Sequence, residues 1–114
     1  MNELVSKLIQ LSGQAEHTFT ASTQGRSACQ LQKLGQLSSQ VKYSEGRDYV
    51  ARQILKIAQI DEPQLGEITL NLNQLEAKHR GIKDSLVLTS PDWQAYADGA
   101  LSMVEEIRML LPEN

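Results

Sequence analysis

The residues with chemistry to offer are few: His17, His79, Cys29 and the carboxylates. A bound zinc or similar ion needs closely spaced ligand pairs, and His17, Cys29 and His79 stand far apart in the chain. Glu105 and Glu106 are neighbours, so on a helix they point about 100° apart and do not face a common ion. Serine, histidine and aspartate are present without the local signature of an activated nucleophile. No glycine-rich stretch has the form of a phosphate cradle. His79 is the one group in a notable place. It has the chemistry of a ligand, a proton carrier or a phosphoacceptor, but it falls on the apolar stripe of a predicted helix. The run His79-Arg80-Gly81-Ile82-Lys83 faces the core, where a phosphoacceptor would have to face solvent. The expectation is a structural, half-buried histidine. Cys29 reads as a small apolar packing residue. The sequence thus predicts no catalytic residue, no metal, no cofactor and no enzyme.

The elements that carry these residues are predicted to be helices. The chain has 114 residues, is 40% apolar and holds only five Phe, Trp or Tyr, so its core is aliphatic. Twelve glutamines and little glycine or proline favour helix over sheet. In the first predicted helix Leu4, Leu8, Leu11, Ala15 and Phe19 recur at helical spacing, with Val5 and Ile9 widening the face. Thr20–Ser27 reads as a loop. A second helix is expected over 27–42, with Ser44–Gly46 as a turn after it. A third covers 47–60 and stops at Asp61-Glu62-Pro63, since the residue before a proline is pushed away from helical geometry. The fourth repeats Leu65, Ile68, Leu72, Leu75, His79, Ile82 and Leu86 in strict 3-4 alternation. Glu67–Asn73 also alternates weakly like a strand, but the helical pattern continues on both sides of it. Ser90-Pro91-Asp92 signals the start of a fifth helix.

That fifth helix is apolar over about half its circumference, which places it either at the centre of the bundle or against a partner. The fold expected is all-α: one domain over residues 1–114, a bundle of about five helices with the two long C-terminal ones as an antiparallel pair.

Charge is polarised along the chain. Residues 26–56 hold six cations, Arg26, Lys33, Lys42, Arg47, Arg52 and Lys56, against Glu45 and Asp48, while the overall net charge is −3. Residues 84–113 hold six acids against Arg108. The single cysteine fits a reducing compartment, and no apolar run reaches the roughly 20 residues of a membrane span. A cytoplasmic protein with no membrane partner is expected.

The residues Gly46, Ala51, Leu55, Ala58 and Pro63 fall at the spacings of the second helix of a tetratricopeptide repeat. Leu37, Val41 and Tyr43 lie near the places of its first helix, so residues 34–63 resemble a single such hairpin. The resemblance implies a scaffold that binds peptides or helices of partners, as small chaperones of bacterial secretion systems do. Tyr43, Gly46, Arg47 and Asp48 are also similar to a helix opening in the small helical subunits of CRISPR effector complexes. That likeness implies contact between the basic middle segment and a nucleic-acid backbone.

The function expected is a non-catalytic protein-interaction module: an adaptor, assembly factor or small chaperone. Its contact would be an apolar groove bordered by the first and last helices, with Val5, Ile9, Trp93, Tyr96, Leu101, Met103 and Leu110 as partner-binding residues. A homodimer through the same surface is the related expectation. The alternative is a nucleic-acid-associated subunit working through Arg26, Lys33, Lys42, Arg47, Arg52 and Lys56.

Overall fold

The structure, a computed structural model, describes residues 2–23, 39–60, 65–85 and 90–111. Among these residues it contains four helices and no strand: α1 (Asn2–Thr23), α2 (Ser39–Ala58), α3 (Leu65–Asp84) and α4 (Pro91–Leu110). The helix expected over 27–42 lies outside the described residues as far as 38, and Ser39–Lys42 belong to α2. The Asp61-Glu62-Pro63 stop also lies outside them.

α1 runs four residues further than Phe19, into the stretch expected to be a loop. The hydroxyls there serve the helix itself. Ser22 Oγ donates to the Phe19 carbonyl at 2.7 Å and Thr23 Oγ1 to the Thr20 carbonyl at 2.9 Å. Such back-bonding satisfies the hydroxyls within the helix at a slight cost to its stability.

α2 corrects the sequence reading most. It passes unbroken through Ser44–Gly46, where a turn was expected, so the glycine that the tetratricopeptide resemblance places between helices sits inside one. Gly46 is there for close approach rather than for a turn. A Cβ at Gly46 would overlap the Tyr96 carbonyl oxygen and lie 2.9 Å from the Ala100 nitrogen. A Cβ at Gly99 would overlap the Tyr43 carbonyl oxygen and lie 2.8 Å from the Tyr43 carbonyl carbon. Helices α2 and α4 therefore touch backbone to backbone, and theirs is the most extensive contact among the described helices. A glycine inside a helix costs about 0.5–1 kcal/mol of propensity. Each side chain buried along that contact contributes about 1.5–3 kcal/mol in the other direction.

α3 is helical throughout Glu67–Asn73 and continuous through Gly81, where a Cβ would meet nothing within 4 Å. Lys83 meets Asp98, Glu76 meets Arg108, and the Gln94 amide reaches the Ile82 and Lys83 carbonyls. The end of α3 thus faces the start of α4, and its middle faces the end of α4, so the two run antiparallel. α4 begins as the sequence indicates: Ser90 is the N-cap and accepts from the Trp93 amide at 3.3 Å.

One apolar cluster joins all four helices. It takes Leu4, Leu8, Leu11 and Ala15 from α1, Val50, Ala51, Ile54 and Ala58 from α2, Ile68 and Leu72 from α3, and Ala100, Met103, Val104 and Ile107 from α4. α4 packs on α2 and α3 and touches α1 at its margin, while α2 packs on α1 and α4 and also meets α3. The molecule measures 45 × 32 × 20 Å, so across its thinnest dimension it is about two helix diameters thick.

Candidate functional site

The apolar stripe of α1 packs on α2, and α1 meets α4 only slightly. The angle left between α1 and α4 is a groove of about 340 Å³ lined by Lys7, Gln10, Leu11, Gln14, Glu106 and Leu110. Its floor is apolar, from Leu11 and the half-buried Leu110. Gln10 and Gln14 are four residues apart on α1 and so share one wall, each offering both a donor and an acceptor. Lys7 supplies a positive charge on the α1 wall and pairs with Glu3 at 3.4 Å on the outside of the helix. Glu106 supplies a negative charge on the α4 wall. Arg47 of α2 fixes that carboxylate, donating to Glu106 Oε2 at 2.6 Å and to Ser102 Oγ at 2.7 Å.

The groove lies where the sequence placed one, but it is mixed rather than apolar, and of the seven expected contact residues only Leu110 lines it. Met103 is wholly buried in the core, so it presents no surface to a partner. The stripe of α4 is wide because the helix packs on both α2 and α3, not because it is bare. Ile9 is exposed (48%) but lies two residues from both Lys7 and Leu11, on the far side of α1. Val5 is half-buried and packs on the core. Leu101 is half-buried on α4, five residues before Glu106 and on another side of the helix. Trp93 and Tyr96 belong to a different cluster near the start of α4. Sequence reasoning missed Lys7, Gln10, Gln14 and Glu106. The available signal was the glutamine pair, which flanks the Leu4-Leu8-Leu11 stripe on one side only.

The second cluster surrounds His79. Its side chain is completely buried, deeper than the half-buried position expected. The Nδ1–H donates to the Leu75 carbonyl at 2.7 Å, which fixes the neutral tautomer and leaves Nε2 as an acceptor. That Nε2 is buried and has no hydrogen-bond partner among the described residues. The Tyr49 ring of α2 stands edge-on at 6.0 Å and the Tyr96 ring of α4 is tilted at 5.7 Å. Trp93 stands edge-on to Tyr96 at 6.1 Å, and the Lys78 ammonium lies 5.0 Å from the Tyr49 ring centre. Burial pushes the imidazole below its ordinary pKa; the Leu75 bond opposes this and the Lys78 charge adds to it. Burial, with Glu45 and Tyr49 nearby, pushes the Tyr96 hydroxyl up to about 12.

The basic middle segment is largely neutralised where it is described. Lys42 pairs with Glu45 at 3.6 Å, Arg47 with Glu106 at 2.6 Å, and Arg52 with Asp48 at 3.0 Å. Lys56 is exposed. Arg26 and Lys33, like Cys29, lie outside the described residues. Asp48 is itself buried, its Oδ1 has no hydrogen-bond partner among the described residues, and burial raises the pKa of its carboxyl.

Among the described residues no group of three or more His, Cys, Asp or Glu is placed to hold a metal ion, and no helix is long and apolar enough to cross a membrane. Comparison with protein-family models, with curated proteins and with solved structures finds no match for the chain.

Proposed function

We propose that this chain is a non-catalytic protein-interaction module that seats a segment of a partner protein in the groove between α1 and α4. The observation that carries the reading is the groove itself: an apolar floor, two amides sharing a wall, and side chains of opposite charge on its two sides. At about 340 Å³ it is at the small end of recognition sites, which suits a few side chains of an amphipathic helix rather than a whole ligand. Such a segment would place an apolar residue on Leu11 and Leu110, an acid toward Lys7 and a base toward Glu106, using the anchor spacing of helix-in-groove recognition. The reading includes a reducing, cytoplasmic setting, resting on the lone Cys29, and it leaves a second copy of the chain as one partner to be tested.

The nucleic-acid alternative draws on Lys42, Arg47, Arg52 and Lys56, together with Arg26 and Lys33. Three of the four described cations are already held by carboxylates, which weakens that alternative. Backbone binding would fall steeply between low and physiological salt.

The test is capture from the native host with three forms of the chain: the natural one, Gln14→Trp, which fills the groove, and Ile9→Ser, which alters the opposite face of α1. A protein held by the natural chain and by Ile9→Ser but lost by Gln14→Trp supports the groove. A captured set indifferent to Gln14→Trp, or nucleic acid alone, would sink the reading.

A further inference from the structure

His79 is a buried titratable group for which the groove has no use. It is the only polar side chain among the three buried residues of α3, the others being Ile68 and Leu72. Leu65 and Leu75 pack on the core beside these three, and the imidazole sits where α3 meets both α2 and α4. We propose that His79 is an acid-sensitive latch, whose protonation releases α3 from the α2–α4 pair.

The geometry gives the neutral ring a place and the charged ring none. Nδ1 already donates its proton to the Leu75 carbonyl. A second proton would go to Nε2, which has no acceptor among the described residues. The groups that face the ring are Tyr49 from α2, Tyr96 from α4 and Lys78 from α3 itself. Neither tyrosine is hydrogen-bonded to Nε2, burial pushes the Tyr96 hydroxyl up to about 12, and Lys78 carries a like charge. Glu45 acts on the Tyr96 hydroxyl, and no carboxylate acts on the His79 ring among the causes of its shift. Putting a charge there costs far more than the same charge in water.

The sign follows. Burial lowers the pKa of His79 in the docked state, so the latch is fully closed above the ordinary histidine value near 6.5. As pH falls below that value the released state gains protons that the docked state refuses. Each opening takes up one proton, so the released population rises up to tenfold per pH unit. Other contacts hold α3 through the same range. Arg108 holds the Glu76 carboxyl below its ordinary pKa, and Lys83 holds Asp98. The released state therefore stays a minority, to be read by exchange rather than by bulk helicity.

The experiment is amide hydrogen exchange on the whole chain between about pH 7.5 and 5, corrected for the intrinsic effect of pH, together with an imidazole ¹⁵N titration. The latch predicts α3 openings that rise up to tenfold per unit below about pH 6.5, while Val50 of α2 and Val104 of α4 do not follow. It also predicts a neutral, Nδ1-protonated His79 with a midpoint below that of a free histidine. His79→Phe keeps a ring among Tyr49 and Tyr96 and should flatten the slope, whereas His17→Gln, on the exposed face of α1, should leave it unchanged. A flat slope in the natural chain, a slope shared equally by α2 and α4, a slope that survives in His79→Phe, or a His79 midpoint at or above 6.5 overturns the proposal. If His79→Phe does not fold, the two measurements on the natural chain decide alone.

Discussion

Gly46 of α2 and Gly99 of α4 form a reciprocal contact: each lies against backbone of the other helix, at Tyr96 and at Tyr43, where a Cβ would overlap a carbonyl oxygen. Neither obstacle is a side chain that can rotate away. Gly46→Ala or Gly99→Ala must push the helices apart, at an overpacking cost of about 1–3 kcal/mol or more, against a propensity gain of about 1 kcal/mol. Net destabilisation is expected at both. Gly13→Ala and Gly81→Ala, in open helical positions, are expected to stabilise by up to about 1 kcal/mol. Urea denaturation of the four variants checks the reversal of sign.

This contact also shows what was legible in the sequence. The all-α class, the cap at Ser90 and the stripes of α1, α3 and α4 could be read because helical periodicity and capping are local signals. The role of Gly46 could not. A glycine between Glu45 and Arg47 looks like a turn, and only the presence of Gly99 across the interface shows it to be a crossing point. The width of the α4 stripe was equally ambiguous, because burial on several neighbours and an exposed partner face leave the same pattern. The groove was legible in its borders but not in its lining. Glutamines beside an apolar stripe read as ordinary surface until a second helix is seen to stop short of them.

Met103 and Met109 separate core from surface on one helix. Met103 is fully buried and Met109 is 85% exposed. Met103→Ala is expected to cost about 2–5 kcal/mol, in the range of large-to-small core substitutions, and Met109→Ala to stay within about 0.5 kcal/mol of the natural chain. Thermal or urea unfolding decides it. Equal effects would mean that α4 does not bury its Met103 face in the core.

The Arg47 to Glu106 pair ties α2 to the groove wall, and both side chains are partly solvated, at 24% and 45% exposure. A double-mutant cycle of Arg47→Met and Glu106→Gln is expected to give a coupling of about 0.5–1 kcal/mol, at the upper end for exposed pairs, that shrinks in high salt. The same cycle on Glu3 and Lys7 should give about 0.3 kcal/mol, as for i,i+4 helix pairs.

Glu76 carries the pH signature of the α3–α4 seam. Hydrogen bonding from Arg108 is the largest cause holding its carboxyl below the ordinary range, with Arg80 adding to it. A carboxyl lowered on folding stabilises the fold above its unfolded pKa, and that stabilisation is lost as pH falls through the folded value. Glu76 should therefore titrate below a free glutamate, and Arg108→Met should move its midpoint upward. Carboxyl NMR titration of both forms reads the shift directly.

The groove is tested most directly by an amide chemical-shift map of the chain as its captured partner is titrated in. The largest changes should fall at Lys7, Gln10, Leu11, Gln14, Glu106 and Leu110, and Gln14→Trp should abolish them. Changes confined to α3 or to the Lys42–Lys56 stretch, with those six residues unmoved, would contradict the proposed function.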